Sequence, residues 1–205
     1  MASTASGASV KATLRRVARD LDELEIKWAL VGGLAVSSRA EPRTTRDVDV
    51  AIVADNDDAA ESLISELQAR GYRIITVIEQ SGVGRLATVR LEAPRQDKRS
   101  VFVDALFASS GIESELVAAA TRIKVFADVE VPVATIGHLI ALKILARDDR
   151  ERPQDFDDIR ALLAEAGKTD LEQAIEALKL IERRGFNRGR DLLSSFASVV
   201  KDLSP

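Results

Sequence analysis

Apolar residues recur at helical spacing from Val10 to Leu24, with Leu14, Val17, Ala18, Leu21 and Leu24 on one face. Ile26 to Val31 is then a short, nearly unbroken apolar run stopped by Gly32-Gly33, the pattern of a buried strand. Val48 to Val53 predicts a second strand. The helical period returns from Asp57 to Arg70, with Leu63, Ile64 and Leu67 on one face and Gly71 just past the end. Tyr72 to Ile78, Arg85 to Leu91 and Ser100 to Phe107 predict further strands, separated by Gly82, Gly84 and Pro94. Ile112 to Ala120 predicts a short helix, and Ile123 to Val133 a hairpin turning at Ala127-Asp128. After Pro132 the period is helical throughout: Ile136 to Arg147, Pro153 to Ala166, Leu171 to Arg183 and Gly189 to Leu203. Strands early and helices late predict an α+β fold, with a mixed-sheet core over 10–133 and a helical C-terminal region over 134–205 packed against it. The small, polar residues 1–9 have almost nothing to bury and are expected to be disordered.

Composition narrows the chemistry. At 205 residues and 46% hydrophobic, the chain can bury a substantial core. Its apolar stretches, such as Val101 to Phe107, are too short to cross a bilayer. The N-terminus lacks the apolar run of a signal peptide, so a cytoplasmic protein with no membrane partner is expected. There is no cysteine and one histidine, His138, which excludes thiolate metal sites and argues against His-rich zinc sites and Ser-His-Asp triads. Catalysis therefore falls to carboxylates, lysine, arginine and hydroxyls. Net charge is −4, yet positive charge is bunched in Arg39-Arg43-Arg46, Arg95-Lys98-Arg99, Arg147-Arg150-Arg152 and Arg183-Arg184-Arg188-Arg190. Such clusters are either solvated faces or local phosphate contacts.

The informative segment runs from Trp28 to Val50. A strand enters two glycines, and a helix follows at once. Glycine lets the backbone turn sharply and approach a ligand, while a helix start offers free N–H groups to phosphate. The same turn also occurs for purely steric reasons. Asp47 and Asp49 lie two apart on a predicted strand, so their carboxylates share a face. Two such groups repel each other, and a hard divalent cation such as Mg²⁺ with oxygen ligands relieves the repulsion. A solvated acidic edge is the competing reading. Asp104 sits in an otherwise apolar strand, where an unpaired charge is costly. It either joins the metal carboxylates or pairs with a nearby arginine.

The spacing of two glycines, a gap and then T-x-D-x-D resembles the nucleotidyltransferase superfamily related to polymerase β. The remainder resembles the AbiEii/AbiGii toxin family, including the MenT-like toxins. Leu139 to Arg147 is similar to that family's L-x-x-x-K-x-x-A helix, and Arg152-Pro-Gln-Asp-Phe-Asp-Asp-Ile to its downstream acidic segment. The likeness spans Trp28 to Leu163. It implies a nucleotidyltransferase fold with Asp47, Asp49, Lys143 and Asp158 as catalytic residues. Metal would be held by Asp47, Asp49 and Asp104, and the nucleotide by Gly32, Gly33, Ser37, Arg46 and Lys143. It further implies Mg²⁺, a nucleoside triphosphate (CTP favoured), the tRNA acceptor end as substrate and a cognate antitoxin as partner. Thr45 corresponds to a hydroxyl that such partners can phosphorylate. Where many relatives have Gly-Ser, this chain has Gly32-Gly33, so backbone N–H groups or Ser37 must replace the missing hydroxyl.

The residues themselves leave alternatives beside these roles. Lys143 shares a helical face with Ile136, Leu139 and Ile140, so its stem is buried, and many such lysines merely snorkel. Asp155, Asp157 and Asp158 follow Pro153, where acids favour the helix dipole in any case. The choice between Asp157 and Asp158 stays open. Two rival functions also stand: transfer to a small molecule or a protein hydroxyl, and a non-catalytic nucleotide- or partner-binding module.

Overall fold

The computed structural model describes residues 2–80, 84–94, 101–148 and 154–203, with side chains from Ser9 onward. Gly82, Arg95, Lys98, Arg99, Ser100, Arg150, Arg152 and Pro153 lie outside the described residues. Seven strands form one mixed sheet. They are β1 (Trp28–Val31), β2 (Val48–Ile52), β3 (Arg73–Gln80), β4 (Arg85–Glu92), β5 (Phe102–Leu106), β6 (Thr121–Phe126) and β7 (Val129–Val133). The spatial order is β3-β4-β5-β2-β1-β7-β6. β1 pairs antiparallel with β2 and parallel with β7, and β2 pairs parallel with β5.

The central position of β1, β2 and β5 follows from their sequences. All four residues of β1 are buried, as expected for an unbroken apolar run covered on both faces. β3 forms one edge and carries exposed Ile74, Ile75, Val77 and Ile78. Tyr72 falls just outside β3. Its ring is buried and its hydroxyl donates to Asp20 Oδ2 at 2.8 Å, a partner that holds it out of the ladder.

Eight helices are described. α1 (Ala2–Glu23), α2 (Gly32–Arg39), α3 (Asp57–Ala69) and α4 (Glu113–Ala119) belong to the sheet half. α5 (Ile136–Ala146), α6 (Gln154–Glu165), α7 (Lys168–Arg183) and α8 (Leu192–Leu203) follow it. α1 starts at Ala2, inside the segment 1–9 for which the sequence predicts disorder. Val10, Leu14, Val17 and Leu21 are buried, and Lys11 and Arg15 pair with Asp128 in the β6–β7 turn. A helix nucleated by that packing propagates into small polar residues at little cost per residue. α8 starts at Leu192 rather than Gly189. Arg188 and Gly189 have φ of 56° and 72°, and Asp191 accepts the Ser194 backbone N–H at 2.8 Å, capping the helix.

α5 is the hinge between the two halves in the packing sense. Leu139, Ile140, Ile144 and Leu145 are all buried, and the helix packs on both α6 and α7 while α2 meets it from the sheet side. Among the described residues, no helix is long and apolar enough to cross a membrane.

Candidate active site

The site begins where β1 becomes α2. Gly32 has φ +63°, and a Cβ built there would lie 1.9 Å from Asp49 Oδ2. Only glycine both adopts that backbone and leaves this room. The register explains the contact, since Val31 is paired with Asp49 across β1 and β2. The backbone N–H of Gly33 also donates to the Asp49 carboxylate. The glycine turn is thus a seat for an aspartate of the neighbouring strand, which the sequence signal alone did not distinguish from a phosphate seat.

Asp49 is the most perturbed carboxyl of the group. Its pKa is pushed up to about 6, first by burial and then by Asp104 and Asp47, while Lys143 and the Gly33 N–H pull it back. Asp47 lies one residue before β2. Burial raises its pKa too, Arg90 opposes that rise, Asp104 adds to it and Arg46 opposes it. Asp104 stands directly opposite Asp49 in the parallel β2–β5 register. Both readings of Asp104 meet here. It adjoins the other two carboxylates, and it also receives a bidentate fork from Arg90, Nε to Oδ1 at 2.7 Å and Nη2 to Oδ2 at 2.6 Å.

A second cluster faces the first from the helical half. Lys143 is buried on α5, with Nζ 2.7 Å from both Asp155 Oδ1 and Asp158 Oδ2. It does not snorkel to solvent. Asp158 is 2% exposed and accepts a second fork, from Arg43 Nε at 2.6 Å and Nη2 at 2.9 Å. Asp157 instead points outward to Arg160, 3.2 Å away. The inward acid of this pair is therefore Asp158.

The loop between α2 and β2 joins the two clusters. Ser37 Oγ donates its one hydrogen to Gly33 O at 2.9 Å, lies 3.3 Å from Arg43 O, and accepts from the Arg43 N–H at 3.3 Å. Its hydroxyl thus braces the loop. A Cβ on Gly33 would lie 2.7 Å from Arg43 Nη2 and 3.0 Å from Thr45 Oγ1, so both side chains rest over the start of α2. Arg46 acts on Asp47 only as a nearby charge. Arg90 carries no sequence signal, and Arg43 and Asp155 stand in the sequence only as members of charge clusters, with no site role of their own. Asp155 had a usable signal, being three residues from Asp158 and hence on the same helical face. The arginines had none, because nothing in their spacing reports a fork to a distant carboxylate.

A cleft of about 500 Å³ lies between the sheet and α5, lined by Gly32, Asp49, Arg90, Asp104, Lys143 and Arg188 among others. Its floor is anionic and its far wall carries cations, which suits a triphosphate bridged to the floor by a divalent cation. The donor set fits such an ion. Asp49 and Asp47 are hard oxygen donors whose pKa values are raised first by burial and further by the nearby Asp104 carboxylate, and a divalent cation relieves both effects. Among the described residues, no three acidic or imidazole groups close into a cage of their own. An open pair of carboxylates is the arrangement that leaves coordination positions to water and phosphate.

Comparison with known proteins shows the fold and the family. Among curated proteins no sequence matches the chain. The antigenic nucleotidyltransferase-like protein from Paracoccidioides brasiliensis is 21% identical, with a TM-score of 0.56 over 94% of each chain. The solution structure of the antibiotic-resistance factor ANT(2'')-Ia is 16% identical, with a TM-score of 0.56 over 87% of this chain and 94% of that one. Both likenesses show the nucleotidyltransferase fold. The chain belongs to the nucleotidyl transferase AbiEii toxin family of type IV toxin–antitoxin systems, whose model it matches over residues 14–202. It is a nucleotidyltransferase, and the family implies an antitoxin partner.

Proposed function

We propose that this nucleotidyltransferase is a cytoplasmic toxin that transfers a nucleotide from a nucleoside triphosphate, CTP favoured, to the 3′ end of tRNA, blocking aminoacylation and translation. The observation that carries the reading is the Asp49 carboxylate seated on Gly32, facing Lys143 across one cleft. Asp47 and Asp49 would hold Mg²⁺, with Asp104 beside them. Bound there, the ion would polarise the α-phosphate and order the triphosphate for in-line attack.

The chain's own residues supply the rest. The acceptor 3′ hydroxyl loses its proton to solvent as its oxygen attacks the α-phosphorus, the bond to the bridging oxygen breaks, and pyrophosphate leaves. Lys143 neutralises charge on the departing phosphates, and Asp155 and Asp158 aim its ammonium into the cleft. Gly32, Gly33 and Arg46 flank the nucleotide at the start of α2, while Ser37 shapes the loop that carries Arg46 and Asp47. Arg188 lines the cleft and suits an RNA acceptor, while Arg147 stacks over Phe156 on a neighbouring surface that it shares with Arg190.

Thr45 is the proposed regulatory position. A phosphate there would bring about −1.5 to −2 charge onto the start of α2, beside Arg43. It would compete with Asp158 for that guanidinium and repel the incoming triphosphate. The antitoxin is the candidate source of the modification.

The test is to incubate the protein with each labelled nucleoside triphosphate, Mg²⁺ and total tRNA. Label in tRNA, strongest with CTP, is the expected result. Label confined to protein or to a small molecule would replace the RNA acceptor, and no transfer to anything would favour a binding module.

A further inference from the structure

Asp49, Asp104 and Arg90 line the cleft floor, with Asp47 close enough to act on them electrostatically, and their arrangement sets how many metal ions the floor can hold. Arg90 contacts both oxygens of Asp104, and its charge also acts on Asp47 and Asp49. The guanidinium is held in place from behind, its carbon 5.6 Å from the centre of the Phe102 ring. Its pKa is raised above the ordinary arginine value, first by the bond to Asp104, so it is a permanent cation. Arg90 and Asp104 are paired across β4 and β5, so the fork is built into the sheet register. Asp49 has no such fork; it receives a backbone N–H and rests on Gly32.

From this asymmetry we infer that Arg90 takes the place of a second metal ion: the floor holds one divalent cation on Asp47 and Asp49, and Asp104 is reserved by Arg90. A divalent ion approaching Asp104 would meet one lone pair of each oxygen already engaged, and a fixed positive charge beside it. At a few ångströms that repulsion weakens metal binding by about tenfold or more even with strong screening. Arg90 therefore supplies the charge of a second ion without leaving a metal site open. It lines the cleft and is placed to face a phosphate on the same floor.

The inference rests on the metal-dependent reading given above, and the experiment separates the two. Mn²⁺ binding to the nucleotide-free full-length chain is followed by isothermal titration calorimetry and by the loss of the free-ion paramagnetic resonance signal. The wild type is expected to bind one ion, and Asp49→Asn none. Arg90→Gln frees Asp104, so binding should become tighter by about tenfold or more, or a second ion should appear. Arg90→Gln combined with Asp104→Asn should return the count to one. Melting curves verify that each variant is folded, and the wild-type count stands whether or not Arg90→Gln folds. Two ions on the wild type, or a folded Arg90→Gln with unchanged count and affinity, would overturn the role of Arg90. Unchanged Mn²⁺ binding in Asp49→Asn would instead overturn the metal reading itself.

Discussion

The two walls of the cleft use charge in opposite ways. On the sheet side, Asp49 is packed against a glycine and crowded by like charges, which leaves it short of positive partners and pushed up to about 6. On the helical side, Lys143 is surrounded by two acids, and one of those is forked by Arg43. The first wall is left unbalanced and so can take up a cation; the second is balanced and so holds its lysine rigid. A nucleotidyl-transfer site needs both, because the metal must be exchangeable and the phosphate-facing cation must be preorganised.

The largest effect is expected on the crowded wall. Gly32→Ala puts a methyl into the Asp49 carboxylate and strains a left-handed backbone. Transfer should fall below detection, and thermal unfolding should show a stability loss on the order of 1–3 kcal/mol. A variant with near-normal turnover would mean that Asp49 does not need its seat.

Lys143→Met comes next. Loss of one phosphate-facing cation typically lowers the chemical rate by about 10²–10³. It also strands Asp155 and Asp158, and breaking such buried pairs can cost about 3–5 kcal/mol. Adding Asp155→Asn should recover part of that stability but none of the single-turnover rate. If the double variant regained the rate, Lys143 would be a packing residue only.

Arg43→Gln tests the link between the walls. It removes the fork to Asp158 and loosens the loop that carries Asp47. Small misplacements of reacting groups can cost up to about 10² in rate, so kcat should fall while the KM for the nucleotide changes little. A pure rise in KM would make Arg43 a phosphate ligand. Asp157→Asn should do least. The side chain faces outward, so stability should move by less than about 0.5 kcal/mol and the rate should not change. A large loss of activity there would reverse the assignment of Asp158 as the inward acid.

The same contrast explains what the sequence could disclose. The sheet wall is legible because its parts are close along the chain: the buried run of β1, the two glycines, and the aspartates on and before β2. An otherwise apolar run placed Asp104 on a strand, and the structure set it directly opposite Asp49. The helical wall is harder to read. Lys143 and Asp158 were reached through resemblance, since a lysine on an apolar face and acids at a helix start both have ordinary explanations. Asp155 was hidden by that same ordinariness. Arg43 and Arg90 form their forks over separations of 115 and 14 residues, and no local pattern encodes either. Ser37, which the resemblance offers beside the backbone N–H groups as a phosphate contact, has its hydroxyl bracing the loop through Gly33 O and Arg43, a contact that no local pattern encodes. The start of α1 at Ala2 has no signal in its small polar residues, because helix propagation depends on packing further along the chain.

The central claim is that the unbalanced wall around Asp49 holds the metal that drives transfer. It is tested most directly by measuring single-turnover transfer of labelled nucleotide to tRNA by wild type and Asp49→Asn, each across a Mg²⁺ titration and in excess EDTA. The account predicts Mg²⁺-dependent transfer by the wild type, none in EDTA, and none by a folded Asp49→Asn at any Mg²⁺ concentration. Transfer by Asp49→Asn at the wild-type rate, or full wild-type activity in EDTA, would contradict it.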